Sequence, residues 1–229
     1  MQTPLDRMAD FDLSGEQREV RRAVREFAEK EILPHVERHE RESRYPLELI
    51  AKLPALGLMG PLIPERYGGS YSDVLSYGVI CEELARIDWV IASVVSVANS
   101  LVGSSILRFG TEAQKERWLP RIADGSCLTS ACLTEPGGGT DLPSMQTTAT
   151  RVAGGYQLDG TKVFISHAAH AGLFFVVATQ DRALKHKGVA CFVFPADLPG
   201  IKKNRMHNKL GQRAADTAEV VFEDVVVPR

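Results

Sequence analysis

The stretch Ser130–Gln146, SACLTEPGGGTDLPSMQ, places a Thr-Glu pair, a proline and three successive glycines between two apolar, strand-like runs. Glycine has no Cβ, so its backbone N–H groups can lie close against an anion or a flat ring. Thr134 and Thr140 flank the glycines with hydroxyls that donate or accept. The residues alone leave two readings open: a tight turn between strands, capped by Thr134, or a loop against which a bound group lies. The stretch also stands close to where the sequence changes period.

Before it, the chain reads as helix. Leu13–Leu33, LSGEQREVRRAVREFAEKEIL, carries Val20, Ala23, Val24, Phe27, Ala28 and Ile32 at spacings of three and four. Ser14 and Gln17 form a capping box at its start, and Pro34 stops it or begins the next segment. Pro46–Gly60, PLELIAKLPALGLMG, is expected to be a second helix ending in glycine. Ser72–Asp88 and Val90–Gly110 are two more. The latter is apolar or small on nearly every side, as in a helix at the centre of a bundle. Thr111–Gly125 opens with a second capping box, Thr111 with Gln114.

After it, from about Ser126, the period is two. Gly155–Ser166, GYQLDGTKVFIS, is expected to form two strands joined by an Asp159-Gly160 hairpin turn. Met145–Val152, Gly172–Gln180, Val189–Ala196 and Thr217–Pro228 are further strand candidates, most of them rich in Val and Phe. Helices followed by strands predict an α+β chain: an all-helical bundle over 1–125, then a small antiparallel β-barrel-like domain over 126–229.

Composition narrows the function classes. The 229 residues are 44% hydrophobic and 24% charged, with a net charge of −2, which offers no electrostatic case for nucleic acid or a membrane surface. No apolar run approaches the roughly 20 residues of a transmembrane helix, and the N-terminal MQTPLDRMADF is neither a secretory signal nor a transit peptide. Cys81, Cys127, Cys132 and Cys191 show no CxxC spacing and read as buried thiols in a reducing cytoplasm. The glycine run is not GxGxxG and opens no helix; there is no P-loop and no GxSxG. His35 and His39 are spaced for one helix face but lack a third ligand, so no metal is expected.

Three segments in order resemble the acyl-CoA dehydrogenase family. CLTEPGGGTD (132–141) is similar to its TEPG-x-G-[ST]-D loop, and GTKVFISHAAHAG (160–172) to its G-x-K-x-[WF]-I-[ST]-N segment. NKLGQRAADTAEVVFEDVVVP (208–228) is similar to its LG-x-R-x-[SA]-DT…FEDV-x-VP segment. The resemblance covers almost the whole chain, and it makes the loop a flavin loop. It implies FAD as cofactor, held by Ala131, Cys132, Leu133, Thr134, Gly139, Thr140, Phe164, Ile165 and Ser166. Leu133 backbone and Thr134 would address the ring, Phe164 would pack on it, and the Ser166 hydroxyl would lie near flavin N5. Thr140, Val97 and Leu101 would contact substrate, with Ala98 beside them on the acyl-pocket helix.

The implied reaction is α,β-dehydrogenation of an acyl-CoA thioester, a step of fatty acid metabolism, with electrons passing to an electron-transfer flavoprotein. A homo-oligomer, dimer or tetramer, is implied for the full-length form. The family's catalytic glutamate lies in a C-terminal domain beyond the last residue here, so no residue of this chain is assigned as base, and the chain by itself is expected to be inactive. A non-catalytic flavin or acyl-thioester binding subunit, and an acyl-thioester oxidase or flavin monooxygenase relative, are the alternatives. This sequence departs from the pattern at His167, where the family has Asn, and at Phe164, where Trp is commoner. His167 is expected to be a partly exposed loop histidine. Lys185 and Lys187 precede a strand near the expected path of CoA and read as solvated.

Overall fold

The structure, a computed structural model, describes residues 13–228; the N-terminal MQTPLDRMADF, with its expectation about targeting signals, lies outside them. Both capping boxes form. Ser14 caps α1 (Gly15–Phe27) and Thr111 caps α7 (Glu112–Ala123), each with its glutamine reaching back to the cap backbone. Pro34 begins a segment rather than ending one. A π turn over Ala28–Ile32 leads without a break into α2 (Leu33–Glu42), with Pro34 in the first turn of α2.

The expected helix over Pro46–Gly60 shrinks to one turn, α3 (Leu47–Ile50), followed by a 3₁₀ turn at Pro54–Leu56. Pro54 has no N–H to continue an α-helix and opens the 3₁₀ turn instead, and Gly57 turns left-handed at φ 68 to close it. Next come α4 (Val74–Ile87), α5 (Trp89–Ser96), a π segment over Val97–Gly103 and α6 (Ser104–Phe109). Together Trp89–Phe109 make 21 helical residues, long and apolar enough to cross a membrane, contrary to the expectation that no run would be. More than half of that stretch is buried inside the protein, which fits the central helix of a bundle. Asn99, fully buried in the π segment, accepts from Leu62 N–H and donates to the Met59 and Val95 carbonyls, fastening the turn-rich connector to this helix.

Seven strands follow: β1 (Thr129–Cys132), β2 (Thr148–Val152), β3 (Gly155–Ser166), β4 (Leu173–Thr179), β5 (Val189–Pro195), β6 (Ile201–Arg205) and β7 (Thr217–Pro228). They form one curled sheet in the order β1-β4-β2-β3-β7-β6, with β5 also on β4. Most pairs are antiparallel; β1 runs parallel to β4 and meets it over four residues. Phe174, Phe194 and Phe222 meet edge to face at its core.

The Asp159-Gly160 hairpin does not form. Residues 155–166 are one continuous strand, and the chain reverses instead between Val152 and Gly155. Asp159 marks a bulge in the pairing of β3 with β7, its carboxylate accepting the Asp224 N–H at 2.8 Å. Gly160 is needed for closeness: a Cβ there would come within 2.5 Å of the Thr147 hydroxyl.

Candidate functional site

A second irregularity in β3 builds the site. The register with β7 slips between Lys162 and Ile165, and here β3 turns toward the loop after β1. Val163 N–H donates to the Thr134 carbonyl at 2.8 Å. The Lys162 ammonium, fully buried, donates to the Leu133 carbonyl at 3.0 Å and to Glu135 Oε1 at 2.9 Å. Glu135 also accepts the Gln146 and Thr147 N–H groups, closing the far end of the glycine loop. Burial alone would push the Glu135 carboxyl up, but its hydrogen bonds outweigh that and hold it below the usual range. Burial pulls the Lys162 ammonium down, and Glu135 offsets part of it.

The bulge also throws Phe164 outward. It is 67% exposed and sits at φ 59, a left-handed backbone that bulky residues rarely adopt. Two residues on, Ser166 ends β3 and lines a cavity of about 280 Å³ with Cys81, Ala85, Trp89, Ala92, Ser93, Ser96 and Val97 of α4 and α5 with the start of the π segment. Among the described residues no charged side chain lines it.

The glycine loop combines the two readings left open by the sequence. Glu135 and Gly138 exchange backbone hydrogen bonds of 2.9 and 3.1 Å, which is a tight turn. Yet Gly137 and Gly138 have no positive φ, and a Cβ on either would meet nothing within 4 Å. Neither the backbone nor the packing of this chain requires glycine there, and the two bare positions leave room for a body outside the chain. Gly139 is different, since a Cβ would come within 3.0 Å of the Thr134 hydroxyl oxygen.

Gly139 lies against Thr134, whose carbonyl bonds Val163 next to Phe164, while Ser166 ends the same strand; Leu133 is half-buried and Thr140 exposed beyond the turn. Cys132 and Ile165 point into the β core, the thiol pushed up to about 12 by burial, so they can offer only backbone to a ligand. Ala131 is half-buried, its side chain packed against the helical core. Val97 lines the cavity, Ala98 is buried core, and Leu101 is 45% exposed away from it. Lys185 and Lys187 are exposed as expected; Lys185 and Arg182 face Asp141 and Gln146 across a second cavity of about 390 Å³ beside the loop. His39 is buried and bonded to Glu48, and no metal cluster occurs among the described residues.

His167 departs from expectation. It is 2% exposed, with Nδ1 2.8 Å from the Tyr45 hydroxyl and Nε2 3.2 Å from the Ser93 hydroxyl. Tyr45 lies 122 residues away in sequence, so periodicity had no means of finding it. Burial pulls the imidazole down to about 4, against a smaller upward pull from the Asp216 carboxylate. Lys162 was visible in the sequence only as the K of a motif; nothing in its neighbours announces a buried ammonium.

Two models of one family match the chain: the acyl-CoA dehydrogenase N-terminal domain over residues 14–126 and the middle domain over 130–225. A short-chain-specific acyl-CoA dehydrogenase of Clostridium acetobutylicum is 38% identical over 219 residues, 96% of this chain and 58% of its own length. Among solved structures, a chain in that of the electron-transferring flavoprotein of Acidaminococcus fermentans superposes with TM-score 0.92 at 36% identity, covering 96% of this chain and 58% of the other. A glutaryl-CoA dehydrogenase of Mycobacterium smegmatis in complex with FADH2 gives TM-score 0.88 at 36% identity, covering 94% and 54%. The chain belongs to the acyl-CoA dehydrogenase family, and it spans a little over half the length of these relatives.

Lys162→Met strands the Glu135 carboxylate without its cation and should lower stability to urea by about 3–5 kcal/mol; a loss below about 1 kcal/mol would show that the pair is not the brace. His167 sets a pH dependence. Between its unfolded value near 6.5 and its folded value of about 4, only the unfolded chain takes up the proton. Stability is therefore full above about pH 6.5 and falls toward pH 4, by about 3 kcal/mol from this residue. His167→Asn should flatten the fall in Tm on acidification from neutral pH, and parallel curves for parent and variant would count against it.

Proposed function

We propose that this chain forms the FAD- and acyl-thioester-binding part of an acyl-CoA dehydrogenase that oxidises a short, uncharged acyl-CoA at its α,β bond and passes electrons to an electron-transfer flavoprotein. The observation that carries the reading is the convergence of an outward, strained Phe164 with a loop whose Gly137 and Gly138 are left bare for no internal reason. A flat ring with an attached pyrophosphate accounts for both.

When bound, FAD supplies the hydride acceptor. Phe164 offers its face to the ring. Thr134 and the Leu133–Thr134 backbone offer donors to the edge where negative charge develops, preorganised because both carbonyls of that pair are tied to Lys162 and Val163. Ser166, which lines the cavity proposed for the acyl group, would present its hydroxyl to the bound cofactor. The α4–α5 wall excludes water from the acyl group, and its lack of a cation leaves a terminal carboxylate unpaired, which favours an uncharged acyl tail. Arg182 and Lys185 lie where CoA phosphates could be met from the loop's far side.

No carboxylate among the described residues lines the cavity beside Ser166, so this reading needs a proton-abstracting base from outside that lining. We take residues 1–125 and 126–229 as the two domains, a homo-oligomer as the full-length form, and a reducing cytoplasm as the setting. The last is supported by four free thiols, although Cys191 is exposed and Cys81 only half-buried.

Gly137→Ala should leave the stability of the cofactor-free protein within about 0.5 kcal/mol and weaken FAD binding at least roughly tenfold, about 1.4 kcal/mol. Equal FAD affinity in parent and variant would remove the reason given for the bare glycines. The reading as a whole is tested with the full reading frame that contains these residues, purified with FAD and kept anaerobic. Butyryl-CoA should bleach the visible flavin band. Failure of every acyl-CoA to do so would overturn the dehydrogenase reading, and rapid peroxide formation in air would favour an oxidase.

A further inference from the structure

Ser166 is held less by its own side chain than by the residue after it. His167 has a left-handed backbone, φ 64, a conformation in which Asn, Asp and His are enriched over other side chains. The peptide joining the two residues is fixed at both ends: the Ser166 carbonyl accepts from the Ser130 hydroxyl at 2.5 Å, and His167 N–H donates to the Asp216 carbonyl at 2.7 Å. The imidazole is fixed at both nitrogens by Tyr45, in the turn before α3, and by Ser93, on α5. His170 stacks on the Tyr45 ring at 4.6 Å and is itself bonded to Asp216, so the phenol is held in turn.

The hydrogen atoms can be counted. The Ser93 hydroxyl donates to the Val90 carbonyl at 2.9 Å, so toward His167 it can only accept. Nε2 therefore carries the proton, Nδ1 is bare, and the Tyr45 hydroxyl donates to it. The opposite arrangement would leave the buried Tyr45 hydroxyl hydrogen without an acceptor. The result is a one-way chain from Tyr45 through His167 and Ser93 to Val90, each bond reinforcing the next. It crosses from the helices to the sheet and back.

We propose that His167, as the Nε2–H tautomer, is a positioning residue that locks the Ser166 hydroxyl against α5 and so sets the alignment of the acyl cavity with the hydride-accepting edge of the cofactor. This role rests on the flavoenzyme reading above. Ser93 and Ser166 line the same cavity, and Ser96 and Val97 lie one turn along from Ser93. A shift of α5 against the end of β3 therefore moves the acyl wall relative to the reacting atom, and about 1 Å of misplacement can cost roughly a hundredfold in rate. An imidazole that burial keeps neutral at pH 7 suits a chain in which each nitrogen has one fixed part.

The tautomer is read directly in the parent protein labelled with ¹⁵N-histidine, using two-bond ¹H–¹⁵N correlation at neutral pH. His167 should show a protonated Nε2 and an unprotonated Nδ1; a protonated Nδ1 overturns the proposal. In the FAD-loaded full-length enzyme, Tyr45→Phe, Ser93→Ala and His167→Asn should each lower kcat roughly tenfold with KM for butyryl-CoA changed less than about twofold. The Tyr45→Phe/Ser93→Ala double variant should be no slower than His167→Asn, because all three cut one chain. A kcat within about twofold of the parent in His167→Asn overturns the positioning role while leaving the dehydrogenase reading intact. A parent that no acyl-CoA can bleach overturns both.

Discussion

Lys162 reaches from β3 to the Leu133 carbonyl and the Glu135 carboxylate, and most of the candidate site lies within a few residues of one of these three. A buried ion pair is an uncertain source of stability, because desolvation offsets much of the attraction. Here its consequence is geometric. The pair sits at the edge of the bulge of β3 at which Phe164 turns outward and Val163 meets Thr134, and it ties that bulge to the loop after β1. Glu135 then uses its remaining capacity on Gln146 and Thr147, so both ends of a loop rich in glycine are anchored although its middle carries no side chains. Flexible residues and a fixed backbone coexist because the restraint comes from outside the glycines.

A second set of restraints acts at the seam between helices and sheet. Arg205 donates to the Ser43 carbonyl and Glu40 accepts from Ala214 N–H, while Tyr45 and Ser93 meet His167. The cavity beside Ser166 is shared between the two parts, so neither makes it alone. Most buried polar groups at this seam are hydrogen-bonded, although His39 Nδ1, Thr129 Oγ1 and Asp216 Oδ1 are not, and the bonds that form fix one part against the other.

The sequence disclosed what depends on local order. Capping boxes at Ser14 and Thr111 were legible because cap and partner are three residues apart. The change from period 3.6 to period 2 near residue 126 was legible because burial imposes it on consecutive side chains. Failures came where distant contacts overrule local preference. Asp159-Gly160 has turn chemistry, but the Asp224 N–H and the Thr147 hydroxyl claim it for a bulge. The failure at Pro46–Gly60 was local instead: Pro54, inside the segment itself, interrupts its helical pattern. The flavin-loop residues were placed through motif resemblance, while Lys162 as a brace and His167 as a buried link needed three dimensions. Each depends on partners 27 or more residues away.

The central claim is that the loop after β1 and the bulge of β3 form a single flavin seat. A crystal structure of the FAD-loaded protein tests it most directly. The isoalloxazine should lie against Phe164, its pyrimidine edge at Leu133–Thr134, the Ser166 hydroxyl at its central nitrogen, and the pyrophosphate beside Gly137–Thr140. Cofactor density elsewhere on the molecule, with Phe164 and the glycines left uncovered, would contradict it.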